Sequence, residues 1–185
     1  WCPTFQLIFN DLKNDIVKET CSLINIPSVS EESSNPDMPF GQGTKKTLDY
    51  ALDLGKRLGF RTKNIDNYCG YIEFGEGEKL VGIIGHLDVV PSGDGWSTPP
   101  FEATIKNGKI FGRGAIDDKG PVVASLYAMK AIKDNLKINS RVRLILGVNE
   151  EKDWKCIKHY KEKEEWPTIG FSPDADFPCI YAEKG

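Results

Sequence analysis

The stretch GIIGHLDVVP puts His86, one of only two histidines, at the end of an apolar run, two residues before Asp88 and just ahead of Pro91. A buried strand gains nothing from a half-charged ring, so the acids that can reach His86 decide its meaning. Three more acidic clusters occupy similar positions. Asp117 and Asp118 separate the segment ATIKNGKIFGRG from an apolar run that opens at Pro121. Glu150 and Glu151 close RVRLILGVN, and Asp174 and Asp176 follow an extended segment near 168–172. If these runs are strands of one α/β sheet, the clusters gather at its carboxyl edge, where ligands bind in open α/β sheets. Carboxylates gathered there repel one another unless a cation holds them. Nitrogen plus carboxylate donors suit zinc, with manganese or cobalt as substitutes.

Taken singly, each cluster has an ordinary alternative. His86 could be a structural hydrogen-bonding residue at a strand end, and Asp117-Asp118 a helix cap and dipole partner. Glu150-Glu151 could open a solvated helix, and SPDADFP could be a plain Asp-Pro turn. Their shared placement at strand ends favours a common site.

The elements that must position these residues follow from periodicity. Residues 5–25 carry apolar side chains at helical spacing, 26–43 read as a Pro/Ser/Gly-rich loop, and 44–58 as a helix stopped by Gly59. Strands are expected near 60–65, 68–74, 79–85, 141–149, 168–172 and 178–183. Asn107-Gly108 marks a hairpin, and helices are expected over 121–135 and within KDWKCIKHYKEKEE. Strands alternate with helices, so the fold class is α/β, with a mixed, mostly parallel central sheet flanked by helices.

Bulk composition excludes several classes. The 185 residues carry a net charge of −3, which gives no pull toward nucleic acid or anionic lipid. No apolar run nears the ~20 residues that span a bilayer, and FQLIFN lacks the flanks of a signal peptide. The five scattered cysteines read as reduced thiols of a cytoplasmic protein. Trp1 and Gly185 read as cut ends, as expected for a piece of a longer chain.

Several motifs together resemble the zinc-dependent family of aminoacylases, carboxypeptidases, desuccinylases and carnosine-type dipeptidases. They are GHLDVVP, GWSTPPFEATIKNGKIFGRGAIDDKGP and GVNEE, while DWKCIKHY and GFSPDADFPCIYAEKG narrow the resemblance to its bacterial dipeptidase V branch. The resemblance implies hydrolysis of a dipeptide at a site of two zinc ions. It makes His86 and Asp174 ligands of one zinc, Asp117 the bridge, Glu151 a ligand of the other zinc, and Glu150 the general base that takes a proton from water and returns it to the leaving amine. Asp88 would orient the His86 ring, and the Asp117–Asp118 peptide would be cis.

It also implies that residues 1–185 are the N-terminal part of the catalytic domain, without the lid domain and without a C-terminal return segment that supplies a further histidine. His159 reads as part of a solvated helix face rather than a substitute ligand. Weak metal binding and low turnover are therefore expected of this piece alone. Of the remaining residues, Trp96, Pro99, Pro100 and Phe101 are expected to pack under the hairpin, Arg113 to pair with a local acid, and Lys119 to cap or brace the site. Cys69, Cys156 and Cys179 are expected to be small buried residues. A small N-acyl amino acid is the alternative substrate, and a non-catalytic α/β binding module the alternative of another class. The oligomeric state is not legible.

Overall fold

The computed structural model describes residues 3–174. Its elements in chain order are α1 (Pro3–Ile24), α2 (Gln42–Arg57), β1 (Arg61–Ile65), β2 (Cys69–Phe74), β3 (Leu80–His86), β4 (Thr104–Lys106), β5 (Lys109–Phe111), α3 (Lys119–Asn135), β6 (Arg141–Gly147), α4 (Lys155–Lys163) and β7 (Ile169–Phe171). The strand expected over 178–183 lies outside the described residues, as does Cys179.

Five strands form the main sheet in the order β1-β2-β6-β3-β7. β1, β2 and β6 pair antiparallel, while β6, β3 and β7 run parallel. The α/β class and the mixed central sheet are as expected. β4 and β5 form a separate hairpin, turned by Asn107 and Gly108 at φ 52° and 73°, the double left-handed turn that Asn-Gly favours.

β3 is apolar along its length because both faces of the sheet are covered. α2 and α3 lie on one face. A Cβ on Gly70 would meet Leu52 of α2 at 3.1 Å, and one on Gly85 would meet Val122 of α3 at 2.7 Å. α4 lies on the other face, with Cys156 Sγ 3.0 Å from where a Gly147 Cβ would be. Leu23, Leu48, Ile72, Leu126, Leu144 and Tyr160 are among the side chains that close the core between these layers.

Local structure departs from expectation at α3 and at α4. α3 begins at Lys119, so Pro121 sits inside the first turn, where no intrahelical partner is owed to its missing N–H. α4 spans only Lys155–Lys163, because Trp154 before it is left-handed at φ 60°. The helix is also not solvated all round: Cys156, Ile157 and Tyr160 are buried. His159 corrects the expectation of an exposed ring, for it stacks on Tyr68 with centroids 4.3 Å apart and shares a 2.8 Å hydrogen bond with Asp66.

A buried ion pair fastens α4 to the sheet. Glu73 and Arg143 are cross-strand partners, and Arg143 Nε donates to Glu73 Oε2 at 2.7 Å. Arg143 Nη1 donates to the Tyr160 hydroxyl at 2.7 Å, and the guanidinium lies 3.9 Å from the Tyr71 ring centre. Removing one partner of such a pair strands a buried charge. Arg143→Met is expected to lower the unfolding free energy by roughly 3–5 kcal/mol in urea titration; a loss below about 1 kcal/mol would show that Arg61, 3.1 Å from Glu73 Oε1, suffices.

Candidate metal centre at the carboxyl edge of the sheet

The register brings His86 opposite Gly147, so β3 and β6 end side by side. The two following segments are tied together at once. Leu87 N–H donates to Gly147 O at 2.9 Å. Asp88, with no exposed surface, accepts the Glu150 N–H at Oδ1 (3.0 Å) and the Glu151 N–H at Oδ2 (3.1 Å). Behind them, Asn149 Nδ2 donates to Ser30 Oγ at 3.0 Å, and its Oδ1 accepts the Lys155 N–H at 3.2 Å.

The His86 ring is oriented chiefly by the main chain of Asp88. Nδ1 lies 2.9 Å from Asp88 O and 3.5 Å from its Oδ1. A carbonyl only accepts, so Nδ1 carries the proton. On a neutral ring the Nε2 lone pair then faces outward, toward oxygens that also only accept. Asp117 Oδ1 is 2.9 Å away, Asp174 Oδ2 3.4 Å and Glu150 Oε2 3.8 Å.

Asp118 supplies a role that the sequence did not suggest. It stands at the start of α3 but makes no side-chain cap. Its buried Oδ2 instead accepts the His86 N–H at 3.0 Å, and its buried Oδ1 has no partner among the described residues. Gly85 makes this possible, since any Cβ there would lie 2.7 Å from Asp118 Oδ2. A glycine one residue before the histidine was the available signal. The Asp117–Asp118 peptide is cis. Lys119, fully buried, donates from Nζ to Leu23 O (2.9 Å) and Ile26 O (2.8 Å), so it caps the end of α1 rather than touching the acids. Arg113 corrects an expectation: its Nη2 donates to Pro91 O and Ser92 O, and its guanidinium lies over Trp96, with no acid among its described partners.

Electrostatics follow from this crowding. Burial alone would depress the His86 pKa, but the hydrogen bond and charge of Asp88, then the charges of Asp118 and Glu150, override it and hold the ring at about 10. Burial raises Asp118 to about 7 against the opposing His86 N–H. Glu150 and Glu151 are both pushed up, by burial first and by neighbouring carboxylates after it.

Two sets of donors lie close enough to hold a metal ion. His86, Asp117 and Glu151 form one, and His86, Glu150 and Asp174 the other, with ligand atoms in each set within 4.8 Å of one another. One imidazole nitrogen among carboxylate oxygens, with the other ring nitrogen fixed by an acceptor, is a donor set that fits a divalent cation. His159 lies in neither set.

The sequence profile described as Peptidase family M20/M25/M40 matches residues 82–185, which contain all of these donors. The chain belongs to this peptidase family. Among M20 relatives, a Bacillus subtilis (strain 168) protein named "Putative dipeptidase YtjP" is 52% identical over 175 residues, 94% of this chain and 38% of its own length. A Staphylococcus aureus (strain USA300) relative with the same kind of name is 44% identical over 94% of this chain and 37% of its own length. Human carnosine dipeptidase 1 superposes with a TM-score of 0.72 at 29% identity, over 86% of this chain and 36% of that one. The M20 family metallo-carboxypeptidase Sso-CP2 of Sulfolobus solfataricus gives 0.61 at 28%, over 74% and 31%. The chain thus spans less than two fifths of the length of these relatives.

The Asp88 clamp is directly testable. Asp88→Ala removes the acceptor of two amides, and each buried donor left unpaired costs about 1–3 kcal/mol. Hydrogen exchange at the Glu150 and Glu151 amides is expected to accelerate at least ~10-fold relative to the β6 interior, since 1.4 kcal/mol is one decade. Unchanged relative exchange would show that the turn holds itself.

Proposed function

We propose that this chain carries the metal-binding core of a dipeptidase that hydrolyses the peptide bond at a dinuclear zinc site. The observation that carries this reading is the outward Nε2 of His86, faced by three carboxylates that can only accept. Family membership and the names of the relatives support peptide hydrolysis, and the dipeptidase names favour dipeptides over N-acyl amino acids.

In this reading His86, Asp117 and Asp174 would hold one zinc ion, and Asp117 and Glu151 would hold the other. Bound there, zinc supplies Lewis acidity toward the scissile carbonyl. Manganese or cobalt has compatible donors. The chain's own groups do the rest. Glu150 is half-buried with a raised pKa, so it accepts a proton more readily than a solvated carboxylate. It takes the proton of the attacking water and returns it to the leaving amine. Asp88 fixes the backbone of Glu150 and Glu151, so neither carboxylate drifts when the water is deprotonated. Asp118 holds the main chain of His86, which sets the depth of the ring.

The same reading makes residues 1–185 the N-terminal part of the catalytic domain, with the lid and return segment outside this sequence. The coverage of 38% of the Bacillus relative agrees with it. No described helix is long and apolar enough to cross a membrane. The free thiols Cys21, Cys69 and Cys156 accord with a cytoplasmic location.

Zinc bound per chain after equilibrium dialysis tests the site. His86→Ala and Asp117→Ala are each expected to abolish retention that the parent shows. Glu150→Gln is expected to retain at least one zinc while lowering any dipeptide turnover by ~10²–10⁴-fold. Equal zinc in the parent and both alanine variants would refute the ligand assignment.

A further inference from the structure

Beside the acidic centre lies a cavity of about 170 Å³ that the proposed chemistry does not use. Val29, Val89, Val90 and Pro91 give it mostly apolar walls, and Ser30, Glu31, Glu151 and Lys152 complete the lining. Glu151 is shared: it lines the cavity and also offers an oxygen to the set formed with His86 and Asp117. A group in the cavity therefore lies next to the reacting centre.

The walls are fixed by hydrogen bonds rather than by loose loops. Val29 and Val89 form a parallel bridge. Val89 N–H donates to Ser28 O at 3.1 Å, and Ser28 Oγ donates to Leu87 O at 2.7 Å. Asn149 ties Ser30 to the Glu150–Glu151 turn. The segment after β3, the loop after α1 and the turn after β6 thus form one unit, and the cavity exists before any ligand arrives. An apolar cavity of about 150 Å³ is large enough to admit benzene, so this one takes a branched aliphatic side chain.

We propose that this cavity is a specificity subsite that receives an aliphatic side chain, of leucine size, from one of the two residues flanking the scissile bond. The proposal rests on the dipeptidase reading and deepens it. Aliphatic rather than charged occupancy follows from the valine and proline walls. The polar members of the lining, Ser30, Glu31, Glu151 and Lys152, are left to meet the polar backbone of the same ligand. Each methylene placed in such a pocket is worth roughly 10- to 200-fold in kcat/KM.

The experiment follows the methyl resonances of Val29, Val89 and Val90 in the zinc-loaded chain carrying Glu150→Gln, titrated with Leu-Gly, Gly-Leu and Gly-Gly. In parallel, hydrolysis of the same dipeptides and of Lys-Gly and Gly-Lys is measured for the parent, Val90→Trp and Val90→Asp. Saturating methyl shifts are expected with one leucine dipeptide and not with Gly-Gly. Hydrolysis should favour that dipeptide at least ~10-fold. Val90→Trp should erase the preference, and Val90→Asp should transfer it to the lysine dipeptide, a gain that misfolding cannot produce. Dipeptide hydrolysis with silent methyls and an unchanged leucine preference in both variants overturns the subsite and leaves the dipeptidase reading standing. Saturating methyl shifts with one leucine dipeptide and not with Gly-Gly support the subsite even at the low turnover expected of this piece. Silent methyls with every dipeptide overturn the subsite, while the zinc-retention test above decides the dipeptidase reading separately.

Discussion

The site depends on one buried carboxylate that belongs to neither set of metal donors. Asp88 has no exposed surface, and its two oxygens accept the amides of Glu150 and Glu151 while its carbonyl accepts the His86 ring. One residue thus couples the end of β3 to the turn after β6. The parallel register of those strands makes this possible, because it brings His86 level with Gly147. Every donor of the centre then derives its position from this joint, from Asp118 behind the His86 amide, or from the segment that carries Asp174 out of β7.

Fixing the groups so firmly creates an electrostatic debt. Acceptors surround Nε2 of a ring that Asp88 O fixes through Nδ1. Such an arrangement admits a proton or a metal ion and little else. The high His86 pKa and the raised carboxylates describe the proton-filled alternative. Metal and protons therefore compete for the same few ångströms, and ligation releases protons. The burial and crowding of carboxylates that raise the pKa values also gather donors suited to a cation.

Much of this was legible in the sequence because the signals were local. The apolar run before His86, the Asn107-Gly108 turn and the stop at Gly59 each follow from short-range rules, and each appears where expected. The gathering of acids was legible as well, since His86 ends β3, Glu150 and Glu151 follow β6 and Asp174 follows β7, while Asp117 and Asp118 stand at the start of α3. What sequence could not show depends on three-dimensional approach. Asp118 reads as a helix cap, yet Gly85 leaves it a nearer donor in the His86 amide. Arg113 reads as an ion-pair partner, yet Trp96 and two carbonyls reach it first. His159 sits among charges in the sequence, but the β1–β2 turn brings Tyr68 and Asp66 against it. The cavity beside Glu151 is made by hydrogen bonds between segments about 60 and 120 residues apart, a range at which no local pattern speaks.

Anomalous diffraction at the zinc edge, from crystals of the chain grown with zinc, addresses the central claim most directly. Two peaks flanking the Asp117 carboxylate are predicted, one against His86 Nε2 and Asp174 and the other against Glu151. Peaks confined to surface groups, with His86 Nε2 still bonded directly to Asp117, would contradict the account and leave the cluster as a proton-holding network.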